Sequence, residues 1–412
     1  MSQNTSFQNI PLLNLQEQYQ AIGADIEAAV LDVLRSGHFI LGRYGTELEQ
    51  KVAEVSGCKY GIGVANGTDA LVLSVWALDL GPDDEVITTP FTFAATVEAI
   101  LVRGAKPVFV DVFEDSFNIN TNLIEAAITP KTKAIMPIHL YGQPANMEAI
   151  MAIAKKHGLK VIEDNAQGIG ATINGKPTGT FGDLACTSFY PTKNLGAAGD
   201  AGMITTNDKA LYDRLKSIRA HGMTRRYYHD ELGINSRLDE IQAAVLMVKM
   251  PHLTSWIEKR QAVARLYKVA LSHCPGVITP KLSFGTTDAN ESTISHVWHQ
   301  YTIRITAQVD GSHATARDIV CAELAKRGIG SMCYYPVPLH VQTAFEQLGY
   351  KKGEFPVSEK LSDQVISLPI YPELKAEQVA YIAQSLQAIM AENFGLVVPG
   401  AVPVVSTAAL SI

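Results

Sequence analysis

The chain has 412 residues, of which 47% are hydrophobic and 18% charged, and a formal net charge of -7. Such a composition fits a globular protein with a large core, and the length favours two or three domains. The acidic balance, with basic residues gathered in nothing larger than short pairs such as Arg225-Arg226, argues against a generic nucleic-acid-binding surface.

Taken in chain order, Met1 to Asn9 is polar and uncharged and lacks the features of a signal peptide. From about Tyr60 to Thr206, short β-branched runs alternate with helical stretches. Tyr60 to Val64 reads as a strand, Thr68 to Leu80 as a helix, Glu85 to Thr89 as a strand and Thr96 to Arg103 as a helix. Pro107 to Val112, Ala134 to His139 and Lys160 to Glu163 are further strands, the last two separated by a Met147 to His157 helix. This α/β alternation implies a mainly parallel sheet covered on both faces, with ligands at the carboxyl ends of its strands. Polar residues gather at those ends: Asn66-Gly67-Thr68, Pro90 to Phe93, His139 and Asp164.

Beyond Arg237 the pattern changes to helices at Leu238 to Val248 and His252 to Ser272, a strand at Trp298 to Ile305, and helices at Ala314 to Arg327 and Ala376 to Ala391. We therefore expect a large α/β domain over 1–250, including the N-terminal segment, and a smaller α+β domain over 251–394. The apolar tail 395–412 is broken by Pro399 and Pro403, so it reads as docked or disordered and not as a membrane span. Cys58, Cys186, Cys274, Cys321 and Cys333 are odd in number and lack CxxC spacing, which suits the reduced thiols of a cytoplasmic protein.

Two motifs are decoys. Gly170 to Lys176 matches the first seven positions of a phosphate-binding P-loop, but Pro177 occupies the place of the Ser/Thr that would hold magnesium. Asn174-Gly175 favours a tight hairpin there instead. His296 and His299 have no carboxylate or cysteine at helical spacing to complete a metal site, so no metal is expected and a polar-edged strand is the simpler reading.

Four features remain. Asn66-Gly67-Thr68 lies between a strand and a helix, where free amides and the helix dipole suit a phosphate, although Thr68 could equally be an ordinary N-cap. Glu163-Asp164 ends an apolar strand, and a buried carboxylate there needs a partner such as a protonated heteroaromatic nitrogen. Thr187 to Lys193 is a β-type run ending in Pro191, with the lysine opening a small-residue loop, Gly196 to Gly202. A lysine in a partly desolvated pocket can become a Schiff-base nucleophile. Gly233 to Glu240, on its own, is a polar start to an apolar helix.

In order and spacing these four features resemble the DegT/DnrJ/EryC1/StrS family of sugar aminotransferases, of the fold-type-I pyridoxal-phosphate (PLP) class. The resemblance runs from Ile40 to about His340 and is densest between Val64 and Ala244. It implies pyridoxal 5'-phosphate as cofactor and Lys193 as the catalytic lysine that holds it as an imine. It further implies Asp164 against the pyridinium nitrogen, Gln167 facing the ring hydroxyl, Phe93 stacked on the ring, and Gly67, Thr68 and Ser188 on the phosphate. Asn235 matches an asparagine that reaches the phosphate from a second subunit, implying a homodimer. His221 and Arg237 match substrate-binding positions of relatives that act on keto-uronic sugars.

The same resemblance implies ping-pong transfer from L-glutamate to a nucleotide-linked keto sugar. Tyr190 after Ser188-Phe189, with Gly199 to Gly202, is similar to the branch aminating carbon 3 of dTDP- or UDP-linked sugars, while Thr192 departs from its usual Gly or Ala. Amination at carbon 4 or of a cyclitol ketone are the alternatives within the family. A histidine in place of Lys193 would mark its 3-dehydratase members. A non-catalytic PLP-binding regulator or scaffold is the alternative of another class, and predicts a basic patch that the sequence lacks.

Overall fold

The structure is a computed structural model that describes residues 9–285, 290–309 and 314–397. Seven strands form its main sheet: Tyr60–Val64 (β1), Glu85–Thr88 (β2), Lys106–Phe109 (β3), Thr132–Ile135 (β4), Lys160–Asp164 (β5), Leu184–Ser188 (β6) and Gly202–Thr206 (β7). Their order is β1-β7-β6-β5-β4-β2-β3. The pairs β6/β5, β5/β4, β4/β2 and β2/β3 are parallel, while β7 runs against both of its neighbours. The sheet is therefore the expected parallel one with a single reversed strand.

Helices Leu15–Ser36 (α1), Arg43–Val55 (α2), Gly67–Ala77 (α3), Ala94–Val102 (α4), Met147–His157 (α5), Lys209–Ile218 (α6) and Glu240–Lys249 (α7) accompany this sheet. Ile62, Val64, Val86, Ala134, Ile162 and Ile204 pack with Leu71, Val75, Ala99 and Ile100 in a common core, as expected for strands buried on both faces. Helix Leu253–Ala270 (α8) joins two cores: Leu253 and Ile257 pack with Leu195 and Leu246, whereas Val263, Ala264 and Tyr267 pack in a separate C-terminal core. That second core is built on an antiparallel sheet of Val277–Ile278 (β8), Tyr301–Ile305 (β9) and Val365–Leu368 (β10), with helices Ala316–Lys326 (α9) and Ala376–Phe394 (α10). Ile10, from the start of the chain, bridges Ile329 and is buried in the same core.

Several boundaries differ from the sequence reading. The first sheet helix ends at Ala77, three residues early, and Asp79 beyond it has a left-handed φ of 56°. The strand expected from Trp298 starts at Tyr301, because Trp298 has φ 47° and its ring stacks on His296 at 3.8 Å, a turn no strand allows. Asn174 and Gly175, both left-handed, close a hairpin between Thr172–Ile173 and Lys176–Pro177, so the P-loop lookalike is a β-turn. Among the described residues no helix is long and apolar enough to cross a membrane. The expectations for the first eight residues, and for residues 398–412 of the tail, lie outside the described residues.

Candidate active site

A cavity of about 870 Å³ opens at the carboxyl ends of the central strands. The cofactor residues Gly67, Thr68, Phe93, Asp164, Gln167, Ser188 and Lys193 expected from the sequence all line it, as do Asn66, Tyr190 and Thr192.

One wall is the N-terminus of α3. Asn66 is its cap, accepting a hydrogen bond from the Asp69 amide at 2.8 Å, so Thr68 is not the cap and its hydroxyl is spared for a ligand. A Cβ on Gly67 would stand 2.6 Å from the Ser188 Cβ. One on Gly202 would stand 2.3 Å from the Asn66 carbonyl oxygen. Glycine at both positions lets β6, β7 and the helix start converge, leaving a shelf of amides and hydroxyls at the positive end of a helix dipole.

Asp164, 5% exposed at the end of β5, lines the same cavity. Its Oδ2 accepts from the Thr96 hydroxyl at 2.8 Å and its Oδ1 from the Ala166 amide at 3.2 Å. Burial nonetheless pushes its carboxyl up, outweighing Thr96, the Ala166 amide and the charges of Lys193 and His139. Glu163 lies outside the cavity. It accepts from His139 Nε2 at 2.9 Å and from the amides of Gly179, Phe181 and Gly182. The Ala145 amide donates to His139 Nδ1 at 3.1 Å, so both ring nitrogens are engaged. His139, counted among the polar strand ends in the sequence, is thus a buried strut and not a pocket residue.

Lys193 follows a tight turn, its amide donating to the Tyr190 carbonyl at 2.8 Å. Burial lowers its pKa to about 8, against a small opposing effect from the Asp164 charge. Gln167 Oε1 accepts from the Tyr141 amide, which directs its amide group toward the Tyr335 hydroxyl at 3.5 Å. The Phe93 ring is 58% exposed and lies 6.2 Å from that of Tyr335. It is a large apolar face open to whatever enters the cavity.

Sequence reasoning missed His299, Gln300, Tyr334 and Tyr335, which line the same cavity from the C-terminal half of the chain. In the sequence His299 reads as part of a polar strand edge. It is buried, and burial, together with the charges of Lys193, Arg260 and His296, keeps its imidazole neutral. Among the described residues its Nδ1 and the Gln300 Oε1 have no hydrogen-bond partner. The available signal was weak: an aromatic pair before Pro336 and a polar pair ahead of β9, neither with any periodicity. Asn235, His221 and Arg237 do not line this cavity. Asn235 and His221 are exposed, and Asn235 forms a bridge with Ala220. Among the described residues no group of His, Cys, Asp or Glu could hold a metal ion.

A buried carboxylate and a lysine with a depressed pKa, lining one cavity with an anion-ready helix start, define an α/β enzyme equipped for amine chemistry on an anionic ligand. The chain belongs to the DegT/DnrJ/EryC1/StrS aminotransferase family, whose model matches residues 20–387. It is 50% identical over 380 residues to a Geobacillus stearothermophilus protein named pleiotropic regulatory protein, covering 92% of this chain and 98% of that one. It is 46% identical over 383 residues to the UDP-N-acetyl-3-dehydro-alpha-D-glucosamine 3-aminotransferase of Acidithiobacillus ferrooxidans, covering 93% and 98%. Among solved structures, S. venezuelae DesV in complex with a ketimine intermediate superposes with a TM-score of 0.86 at 38% identity, covering 93% of this chain and 98% of that one. Bacillus subtilis NtdA with bound cofactor PMP gives 0.84 at 31% identity, covering 94% and 87%.

Proposed function

We propose that this chain, with pyridoxal 5'-phosphate as cofactor, transfers the amino group of L-glutamate to carbon 3 of a UDP- or dTDP-linked keto sugar. The observation that carries this reading is that Lys193 and Asp164 share one cavity with the Gly67–Thr68–Ser188 shelf. The residues fit the cofactor. Asp164 is buried and pushed toward protonation, so it gains from a cationic ring nitrogen. The glycine cradle against Ser188 leaves room for a phosphate that a side chain on Gly67 would occupy. Phe93 offers an open face for stacking, and the Gln167 amide can donate to the ring oxygen.

When bound, the cofactor supplies an electron-withdrawing ring that accepts the charge left as a proton departs from the amine-bearing carbon. Lys193 takes that proton and returns it at the neighbouring carbon. Its pKa, lowered to about 8, gives it a far larger share of free amine near neutral pH than an ordinary lysine has. Asp164 keeps the ring nitrogen protonated throughout. Donor and sugar use the cavity in turn, as a ping-pong exchange requires.

Asn235 lies outside the cavity of its own chain and is exposed, which suits a homodimer in which it reaches the phosphate of a second copy. His221 and Arg237 would then act on the sugar from the same side. A regulatory role without a cofactor, suggested by the name of one relative, would leave the buried Asp164 and the depressed Lys193 without a purpose.

The test is a two-stage incubation. Protein loaded with pyridoxal phosphate should release one 2-oxoglutarate per site from L-glutamate, then aminate a UDP- or dTDP-linked 3-keto sugar detected by mass spectrometry. Release of 2-oxoglutarate with no amination of any 3-keto sugar, but amination of a 4-keto sugar, would overturn the carbon-3 assignment.

A further inference from the structure

Lys249, at the end of α7, is 7% exposed, and its ammonium donates to the Gly196 carbonyl at 2.7 Å. Burial lowers its pKa to about 8, and no carboxylate charge among the described residues acts to offset this. A buried ammonium held by one carbonyl is an expensive choice, since a packed apolar side chain of similar length commonly serves stability as well or better. Its hydrogen-bond partner indicates what it does. Gly196 is three residues after Lys193, in the loop that carries the lysine.

That loop is held from several sides. The Asn194 side-chain Nδ2 donates to the Val297 carbonyl at 2.9 Å, and the Ala197 backbone amide to the Phe189 carbonyl at 2.8 Å. Gln242, seven residues before Lys249 on the same face of α7, accepts from the Ala198 amide at 2.9 Å. A Cβ on Gly196 would lie 2.3 Å from the Pro191 carbonyl oxygen, so the turn is tight where Lys249 grips it. Of these anchors Lys249 alone carries a charge.

We infer that Lys249 is a positioning residue, whose ammonium pins the Gly196 carbonyl and thereby fixes how Lys193 approaches the reacting carbon. The inference rests on the reading of Lys193 as the proton-transferring amine. Holding a reacting group to within a fraction of an ångström is worth large rate factors, and misplacement by about 1 Å can cost about a hundredfold.

The experiment compares the full-length protein with its Lys249→Met, Lys249→Arg and Gln242→Leu variants in three measurements. These are thermal unfolding, amide exchange over residues 189–202 by mass spectrometry, and kcat and KM of the glutamate half-reaction. Lys249→Met should unfold at the same temperature or higher, yet exchange faster at Ala197 and Ala198. Its kcat should fall about 10- to 100-fold while KM changes less than about threefold. Lys249→Arg, which can still donate, should recover most of that loss. Gln242→Leu should raise exchange at Ala198 and lower kcat in the same sense, and it carries the test if Lys249→Met does not fold. Unchanged exchange and kcat in Lys249→Met, equal losses in the Met and Arg variants, or an inert Gln242→Leu would each overturn the inference. A wild-type protein that forms no visible absorbance band with pyridoxal phosphate would instead overturn the reading of Lys193, while the exchange comparison would still report on the anchor.

Discussion

Glu163 and Asp164 are neighbours on β5, yet their carboxylates serve opposite sides of the sheet. Glu163 is gathered by His139 and three loop amides, whereas Asp164 faces the cavity with the Thr96 hydroxyl and the Ala166 amide. The alternation of a strand separates them, and their environments shift them in opposite directions. Burial would raise both. For Glu163 the His139 hydrogen bond and charge and the Gly182 and Gly179 amides outweigh burial and hold it low. Asp164 is left high. One acid is satisfied by the fold; the other waits for a ligand.

Asp164→Asn should therefore separate stability from activity. Because the folded pKa of Asp164 is raised, its ionisation opposes folding above the usual carboxylate range. The cofactor-free variant should match or exceed the wild type in denaturant midpoint at neutral pH. Its glutamate half-reaction should slow by about 10²- to 10³-fold. A variant that both unfolds more easily and reacts normally would contradict this division.

Glu163→Gln should do the reverse. It leaves loop amides facing a neutral group, at a cost of about 1–3 kcal/mol at neutral pH. The folded pKa of Glu163 is depressed, so its contribution is complete above the ordinary carboxylate value and is lost as pH falls through the folded one. Chemical denaturation at several pH values should show the gap between wild type and variant closing in acid. A constant gap would show that Glu163 does not act through its charge.

Gly67→Ala places a Cβ where Ser188 stands, 2.6 Å away. We expect a stability loss of about 1–3 kcal/mol and weaker binding of pyridoxal phosphate, read by equilibrium titration. Combining it with Ser188→Gly should relieve the clash without restoring affinity, because a hydroxyl of the shelf is then missing. Full affinity in the double variant would place the phosphate elsewhere.

Much of this site could be read in the sequence because its parts lie at strand ends with local markers. Asp164 ends an apolar run, Lys193 opens a glycine-rich loop, and Gly67-Thr68 sits between a strand and a helix. The division of labour between Glu163 and Asp164 was not legible, since adjacent acids look alike until the strand assigns them faces. Asn66, not Thr68, caps α3, a choice decided by backbone geometry that a row of polar residues does not encode. His299, Gln300, Tyr334 and Tyr335 come from loops more than 100 residues downstream of Lys193, brought in by packing of the second core and marked by no repeat or spacing. The reversal of strand β7 was equally hidden, because a short strand's composition does not reveal the direction in which it runs.

Lys193 should capture an aldehyde at unusually low pH. Its pKa is lowered from 10.5 to about 8, so the reactive amine fraction should rise through about pH 8. The rate of visible-band formation with pyridoxal phosphate, measured across pH, should follow that midpoint. The Asp164 charge works against the lowering, so Asp164→Asn should move the midpoint to still lower pH. A rate that climbs only near pH 10 would show an ordinary, solvated lysine.

The central claim is tested most directly by amino transfer from L-glutamate to UDP- and dTDP-linked 3-keto sugars, comparing the wild type with Lys193→Ala. The account predicts an aminated product from the wild type and a loss of at least about 10³-fold in the variant, with the visible cofactor band also gone. A Lys193→Ala protein that still aminates the sugar, or a loaded wild type that aminates none of them, would contradict it.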